Sequence, residues 1–277
     1  MTRMTLFFAI AAICVALATG CEDSRNLVVP DSQTPGSLDP GNELESAIIE
    51  ILQANLRGRI DLFHEKQYSG QLSAVISQPG AGLTGESIAI AMFSTAEDGP
   101  GIDAGSVSVN DRLLAKQPSE TGGLFYELRL QARPTPETEA GGPRYFWGVS
   151  GGPRIPAFEA AVDLPAPFSV TSPRQRSTVG RDDSLRVYWQ GGSADIALVY
   201  LTGFRSEEPG RGAILASYPV PDAGHFTVPG GTLHGISDPF TDLRISVSKY
   251  RYATNNQSER KFLLLAAITD FVEVKFR

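Results

Sequence analysis

The sequence has few of the residues that most often carry catalysis or metal binding. Its 277 residues include only 2 cysteines and 3 histidines, and 31 acidic residues outnumber 24 basic ones, for a net charge of −7. A protein that binds nucleic acid needs a basic surface to displace counterions from the phosphates, so this charge argues against a nucleic-acid partner. A disordered chain is excluded as well, because 42% of the residues are apolar, which is enough to bury a core.

The first 21 residues show the three-part pattern of a secretory signal peptide. Arg3 precedes an apolar run over residues 6–17, and small residues over 18–20 lead to Cys21. The apolar run is too short for a stable membrane span. The segment resembles the lipobox of bacterial lipoproteins, which implies cleavage after residue 20 and attachment of lipid to Cys21. The alternative is an ordinary cleaved signal peptide in which Cys21 is incidental.

The surroundings of Cys21 favour the lipoprotein alternative and suggest a location. Cys14 lies in the segment that cleavage would remove, so Cys21 would have no thiol partner in the mature chain. Several acyl chains together hold a protein at a membrane permanently. Glu22 follows the cysteine, whereas in enteric bacteria Asp at this position retains lipoproteins in the inner membrane. We therefore expect a bacterial envelope protein that is lipid-anchored in the outer membrane, facing the periplasm or the cell exterior.

Two segments are expected between the signal peptide (1–20) and the folded body. Residues 21–42 are rich in Pro, Gly, Ser and Asp, which predicts a flexible lipidated tether. Residues 43–68 are predicted to form a short helix, over about 43–57, and a connector, because apolar residues recur there at helical spacing. These residues are Leu44, Ile48, Ile51, Leu52 and Leu56.

From Gly70 onward the hydrophobic period changes to two residues, which predicts strands that bury one face. Glycine (28 residues) and proline (19) are concentrated in the turns between these strands. A proline-rich junction over 164–173 separates two sets of strands. Short alternating strands at this spacing are typical of antiparallel β-sandwiches, so we predict one sandwich over 69–166 and a second over 167–277.

The second set opens with FSVTSPRQRSTVGRDDSLRVYWQGGSADIALVYL, residues 168–201. This segment resembles the opening half of bacterial immunoglobulin-like domains, in which a strand, Ser-Pro and a polar turn precede a strand that ends in Trp. The resemblance covers about 40 residues in generic motifs. It implies an all-β fold of two tandem antiparallel immunoglobulin-like β-sandwich domains.

Two sequence patterns mimic enzyme motifs without their structural context. The glycines of Gly80-Ala-Gly-Leu-Thr-Gly85 fit a dinucleotide fingerprint, which requires a following helix, but residues 86–93 alternate like a strand. Ser150 lies in a GxSxG pattern, which also requires a helix, but Pro153 and Pro156 prevent a regular one. We interpret the first pattern as a hairpin loop and the second as a turn at a strand end.

No metal or other cofactor is expected. His225 and His234 lie nine residues apart with Asp222 and Asp238 nearby, but the spacing matches no known ligand set. Two acidic loops, at 98–103 and 182–183, leave calcium open as an alternative, although neither has the ordered Asp/Asn alternation of a defined calcium loop.

Aromatic residues give the better indication of a binding site. Trp147 and Trp189 lie on apolar faces of their strands and are predicted to belong to the core. If Leu243, Ile245 and Val247 face the core, Tyr250 and Tyr252 face solvent beside the polar loop 253–259. Together with Lys249 and Arg251 they form a candidate ligand-binding stripe, Lys249–Tyr252, that could stack on a glycan or contact a protein.

The sequence favours a non-enzymatic envelope lipoprotein that acts as a binding, adhesion or structural module, with the membrane and an envelope protein or glycan as partners. One alternative is an accessory subunit of an outer-membrane transport or secretion complex. A second is a carbohydrate-directed hydrolase whose paired carboxylates are brought together only by folding.

Overall fold

The computed structural model describes residues 48, 50–52, 67–77, 86–95, 99–118, 123–130, 137–139, 142–207, 212–236 and 240–277. Most of these residues lie in β-strands, which confirms the all-β fold. Residues 48 and 50–52 are helical, as predicted for 43–57, and Gly230–His234 forms one further short helix. The signal peptide, Cys21 and the tether lie outside the described residues. Within the described ranges, no helix is long and apolar enough to cross a membrane.

The first ten strands come from the half of the chain expected to form the first sandwich. They are β1 Gly70–Ser77, β2 Glu86–Thr95, β3 Gly99–Pro100, β4 Val107–Val109, β5 Arg112–Leu113, β6 Ala115–Pro118, β7 Leu124–Leu130, β8 Glu137–Glu139, β9 Gly142–Val149 and β10 Phe158–Asp163.

Eight further strands follow in the second half. They are β11 Ser169–Ser172, β12 Thr178–Val179, β13 Arg186–Gln190, β14 Ile196–Arg205, β15 Gly212–Val220, β16 His225–Thr227, β17 Phe240–Gln257 and β18 Arg260–Phe276.

One large sheet contains strands from both halves of the chain. Its strand order is β15-β14-β17-β18-β1-β2-β7-β6, and β12 and β3 attach to β18 and β2, for ten strands in the described part of the chain. The halves meet where β1 pairs with β18, from Gly70 beside Phe262 to Ser77 beside Thr269. This pairing is parallel, as is that of β12 with β18, so the expectation of purely antiparallel sheets is wrong at these two places.

The large sheet contains strands from both sides of the expected domain boundary at residue 166. Among the described residues, each half contributes five strands to the large sheet and also forms a smaller sheet of its own. The smaller sheets are a five-stranded one (β10-β9-β4-β5 with β8) and a three-stranded one (β11-β13-β16). Because β1 and β18 join the two sets edge to edge, the count of two domains is not confirmed and stays a prediction.

The two smaller sheets pack against one face of the large sheet, which we call the inner face. A single hydrophobic cluster contains Trp147 from the five-stranded sheet, Trp189 from the three-stranded sheet, and Val199, Val247 and Ile268 from the large sheet. Both tryptophans are buried, as predicted, at 1% and 3% exposure. Stacked sheets with a shared apolar interior are the arrangement of a sandwich.

The opposite, outer face of the large sheet is covered as well. The helical residues Ile48, Ile51 and Leu52 belong to a second hydrophobic cluster that includes Leu198 and Leu263 of the sheet. A continuous apolar run such as 196–201 is typical of a strand covered on both faces, and in β14 this run is buried at every position.

Candidate functional site

The predicted ligand-binding stripe, Lys249–Tyr252, lies on β17, and two of its four residues are buried. Lys249 and Tyr250 are only 1% and 3% exposed, whereas Arg251 and Tyr252 are partly exposed. The expectation that Tyr250 faces solvent is therefore wrong, and for Tyr252 it holds only in part. The strand also continues to Gln257, so most of the expected polar loop is β-structure.

Tyr250 is buried because the outer face of the large sheet is not open to solvent. The alternation itself is as predicted, since Val247 lies in the inner cluster and Tyr250 in the outer one. On the outer face Tyr250 shares its cluster with the helical residues Ile48 and Ile51. Burial raises the pKa of Tyr250, and the nearby Tyr200 raises it further. The hydroxyl of Tyr250 therefore stays neutral in the apolar layer.

Lys249 points to the inner face, where its ammonium group is fully engaged. Its Nζ lies 2.8 Å from Asp222 Oδ1 and donates a hydrogen bond of 2.7 Å to the carbonyl oxygen of Gly191. The Phe168 ring centroid lies 4.8 Å from the same Nζ. Trp189 Nε1 donates to Asp222 Oδ1 at 2.9 Å. A buried lysine is tolerated only when it is paired and hydrogen-bonded in this way.

This Lys249 network connects different layers of the fold. Lys249 belongs to the large sheet, whereas Trp189 belongs to the three-stranded sheet, and Asp222 follows β15. Another carboxylate, the buried Asp270 on β18, accepts a hydrogen bond of 2.7 Å from the backbone N–H of Val170 on β11. Both contacts join the three-stranded sheet to the large sheet, so these charged residues hold the sandwich together.

Arg251 and Tyr252 are tied to the loop before β14. Arg251 Nη1 donates to Asp195 Oδ1 at 2.8 Å, and Arg251 Nη2 donates to Ser193 Oγ at 3.1 Å. The backbone N–H of Tyr252 donates to Asp195 Oδ2 at 3.2 Å. The ligand-binding role of the stripe stays a prediction, and in this structure only Arg251 and Tyr252 have surface available for it.

A second polar cluster lies between the five-stranded sheet and the large sheet. Lys116 Nζ lies 2.8 Å from Asp103 Oδ1, and the hydroxyl of Tyr126 donates to the same Oδ1 at 2.9 Å. The buried Tyr126 hydroxyl also accepts a hydrogen bond of 2.8 Å from the backbone N–H of Ala104. The carboxylate of Asp103 thereby holds the loop that leads into β4.

These contacts shift the ionisation of both residues in the Asp103 cluster. The hydrogen bond from Lys116 lowers the pKa of Asp103, and the backbone N–H of Gly105 lowers it further. Burial raises the pKa of Tyr126 to about 12. Both shifts favour the state seen in the structure, an ionised Asp103 that accepts a hydrogen bond from a neutral Tyr126.

Ser150, the serine of the GxSxG pattern, lies next to this cluster and has a structural contact. Its Oγ accepts a hydrogen bond of 2.7 Å from the backbone N–H of Ser106. Residues 151–157 contain no helix, as predicted. Gly105 has a φ of +79°, and a Cβ there would collide with Gly151 O and with Ser150 Oγ. Ser150 therefore lies in a closely packed turn, without the helix that a nucleophile elbow requires.

The glycine-rich pattern at 80–85 lies outside the described residues, but its flanks define its context. β1 and β2 are adjacent antiparallel strands, with Ser77 beside Glu86. The hairpin loop predicted for 80–85 stays a prediction, since it falls outside the described residues. The segment after it is a strand, so the helix N-terminus that would hold a pyrophosphate is missing.

The histidines and acidic loops make contacts of their own. His234 Nδ1 lies 3.2 Å from Asp182 Oδ1 at an exposed position. Asp222, proposed as a neighbour of the histidines, contacts Lys249 and Trp189 instead. His64, Asp98 and Asp238 lie outside the described residues. Among the described residues, no group of three or more His, Cys, Asp or Glu side chains is placed to hold a metal ion.

The structure also shows an exposed aromatic pair that was not predicted from the sequence. Tyr188 of β13 and His225 of β16 lie opposite each other across two strands, with ring centroids 5.9 Å apart and planes inclined by 24°. Tyr188 is 41% exposed, one of two large hydrophobic side chains exposed in the described ranges, with Leu113. The signal was present, because Val187 and Trp189 point inward and Tyr188 must therefore point outward.

No protein-family model matches the sequence. No curated protein matches it either. The solved structures similar to this chain include the fibronectin(III)-like modules of Clostridium thermocellum CbhA, at 14% identity and a TM-score of 0.21. That match covers 72% of this chain and 89% of the CbhA chain. The fold described above therefore rests on the strands of this chain and their pairing.

Proposed function

We propose that the protein is a non-enzymatic binding or structural module of a bacterial envelope, attached to the outer membrane by lipid on Cys21. The observation that carries the proposal is the Lys249 network, in which a buried lysine and Asp222 fasten one sheet of the body to another. A scaffold for binding needs rigid strands whose exposed residues keep fixed positions.

The other charged and nucleophilic groups described above support the same proposal. Asp270 joins two sheets through the N–H of Val170, and Asp103 holds the loop before β4. Ser150 accepts a backbone hydrogen bond within its turn. Each of these groups has a stabilising hydrogen-bond partner within the protein. This is expected of polar and charged side chains that have a structural role.

The membrane attachment is supported by the sequence alone. The lipobox-like segment ends at Cys21, and about 20 flexible residues would separate the lipid from the body, a random-coil span of roughly 25 Å. The acidic chain gives no electrostatic attraction to anionic lipid, so acyl chains would have to supply the attachment.

Expression of the full chain in a bacterial host tests the attachment. We expect the protein in the outer-membrane fraction, labelled by radioactive palmitate, with an N-terminal peptide that begins at an acylated Cys21. The Cys21→Ser variant should lose the label and leave the membrane. Palmitate labelling that survives in Cys21→Ser, or a mature protein without lipid, would overturn the lipid anchor.

A capture experiment tests the binding role and the absence of catalysis separately. The full chain, immobilised in detergent, is exposed to solubilised envelope, and the bound protein and glycan are quantified against the amount of bait. We expect one component retained in a fixed ratio and no growth of soluble sugar or peptide fragments with time. Fragments that accumulate in proportion to the amount of protein would show a hydrolase and overturn the proposal.

A further inference from the structure

The outward face of the three-stranded sheet has an aromatic centre surrounded by hydrogen-bonding side chains. Tyr188 and His225 form the centre. Arg186 and Gln190 lie two residues away on the same strand and face, and Ser169 and Thr227 lie beside them on the neighbouring strands. All six side chains are exposed, while the alternate residues on these strands point inward. We call this surface the Tyr188 face.

The Tyr188 and His225 rings are stacked at an exposed position. Directly superposed rings would lie about 3.5–4 Å apart, whereas these centroids are 5.9 Å apart with nearly parallel planes. The rings are therefore displaced sideways, the offset arrangement that aromatic pairs prefer. A ring face has a negative quadrupole, which attracts the weakly positive C–H groups on one side of a sugar ring.

The size and polarity of the Tyr188 face fit a polysaccharide better than a protein. Five residues from Arg186 to Gln190 span about 13 Å, and three strands are about 10 Å across. A protein interface concentrates apolar side chains at a dry centre. Here the side chains around the rings are hydroxyl, carboxamide and guanidinium groups, which pair with sugar hydroxyls instead.

The charge of the Tyr188 face selects the kind of sugar. Arg186 is exposed on β13, and β11, β13 and β16 contain no Asp or Glu, although the protein as a whole has a net charge of −7. A guanidinium group binds a carboxylate through two parallel hydrogen bonds. We infer that the Tyr188 face binds a polysaccharide of carboxylated sugars, with sugar rings stacked on Tyr188 and a carboxylate on Arg186. This inference rests on the proposed function, because it names the ligand class of that binding module.

Binding of alginate oligosaccharides, a polyuronate probe, to the full chain in detergent tests the inference by calorimetry. We expect binding that weakens with added salt, and weaker binding of neutral dextran oligosaccharides. Tyr188→Ala should lower the affinity for alginate about tenfold, while Tyr188→Phe keeps most of it because the ring remains. Arg186→Gln should remove the preference for alginate over dextran.

Strand β5 supplies matched controls on another sheet. Leu113 is the second exposed large hydrophobic residue, and Arg112 beside it is an exposed arginine. Leu113→Ala and Arg112→Gln should leave alginate binding unchanged. The inference is overturned if the wild-type chain does not bind alginate, or if the control variants lose as much affinity as Tyr188→Ala. It is also overturned if Tyr188→Ala binds normally.

The alginate experiment can fail without overturning the proposed function. If the wild-type chain does not bind alginate but retains an envelope component in a fixed ratio, the sugar site is overturned. The proposed binding module is then still supported. Shortening of the alginate chains during the titration would instead overturn the non-enzymatic role.

Discussion

Two lysine–aspartate pairs in this protein have nearly the same geometry in very different surroundings. In both, Nζ lies 2.8 Å from Oδ1 of the aspartate. In both, a second donor from an aromatic side chain reaches the same oxygen at 2.9 Å, from the hydroxyl of Tyr126 on Asp103 and from Nε1 of Trp189 on Asp222. The side chains of Lys116 and Asp103 are 43% and 48% exposed, whereas those of Lys249 and Asp222 are 1% and 14% exposed.

The comparison shows that the distance between two charges does not set their contribution to stability. In water-like surroundings an ion pair adds about 0–1 kcal/mol, because the solvent screens it. In the Lys249 pair the lysine has lost its hydration and Asp222 most of it, so the pair itself adds little but the loss of one partner is costly. The partners of the Lys249 pair are therefore costly to remove, whereas the exposed Lys116 pair makes only a small contribution at one loop.

The largest difference is expected when each lysine is replaced by methionine, which keeps the length of the side chain. Lys249→Met should lower the free energy of unfolding by about 3–5 kcal/mol, because the carboxylate of Asp222 is left buried without a counter-ion. Urea denaturation at pH 7 measures this loss.

The double variant Lys249→Met with Asp222→Asn should recover part of the stability, since no uncompensated charge then remains. An effect of Lys249→Met below about 1 kcal/mol would remove the contrast between the two pairs, because that is the range of exposed pairs.

A smaller effect is expected for Tyr126→Phe, which removes the aromatic donor of the exposed pair but keeps its ring. The buried N–H of Ala104 then loses its acceptor, and the free energy of unfolding should fall by about 1–3 kcal/mol. Burial raises the pKa of Tyr126 to about 12, so its contribution is present below pH 10 and is lost as the pH rises towards 12.

The stability of Tyr126→Phe should therefore fall less than that of the wild type between pH 10 and 12. Absorbance titration at 295 nm gives an independent check, because the variant should lack one tyrosine that ionises near pH 12. A missing ionisation near pH 10, the ordinary tyrosine value, instead of near pH 12 would show that Tyr126 is not buried and hydrogen-bonded as described.

The smallest effect is expected for Lys116→Met, at about 0–1 kcal/mol near pH 7 and less in high salt. The hydrogen bond from Lys116 lowers the pKa of Asp103 below its ordinary value. The contribution of Asp103 is therefore present above about pH 4 and is lost as the pH falls through the lowered pKa. The difference between wild type and Lys116→Met should vanish by about pH 2. A difference that grows at low pH would contradict this assignment.

Many of the strands could be predicted from the sequence because their residues alternate between a buried and a more exposed face. Val187 and Trp189 are buried and alternate with exposed neighbours in β13, and the alternation in β4 and β9 is equally direct. The rejection of the Ser150 pattern also followed from local chemistry, since prolines exclude the required helix. Such features depend on residues close together in the chain.

The pairing of the strands and the burial of the predicted ligand-binding stripe could not be predicted from residues close together in the chain. Periodicity does not encode which strand lies beside β1, and its partner β18 is nearly 200 residues away. The alternation correctly placed Tyr250 on the face opposite to Val247. Its burial, however, depends on the helical residues Ile48 and Ile51, which cover that face of the sheet. One signal was available: the continuous apolar run at 196–201 indicates that both faces of its sheet are covered.

The central position of β1 has a mechanical consequence under the proposed anchoring. The tether precedes β1, and β1 is bonded to β18 on one side and to β2 on the other along all 8 of its residues. A pull on the anchor would first load the helical residues Ile48, Ile51 and Leu52 packed on the sheet, and then act on β1 across its hydrogen bonds to both neighbours. These bonds would be sheared together instead of peeled apart one by one, so the body should withstand drag on the envelope better than if an edge strand carried the load.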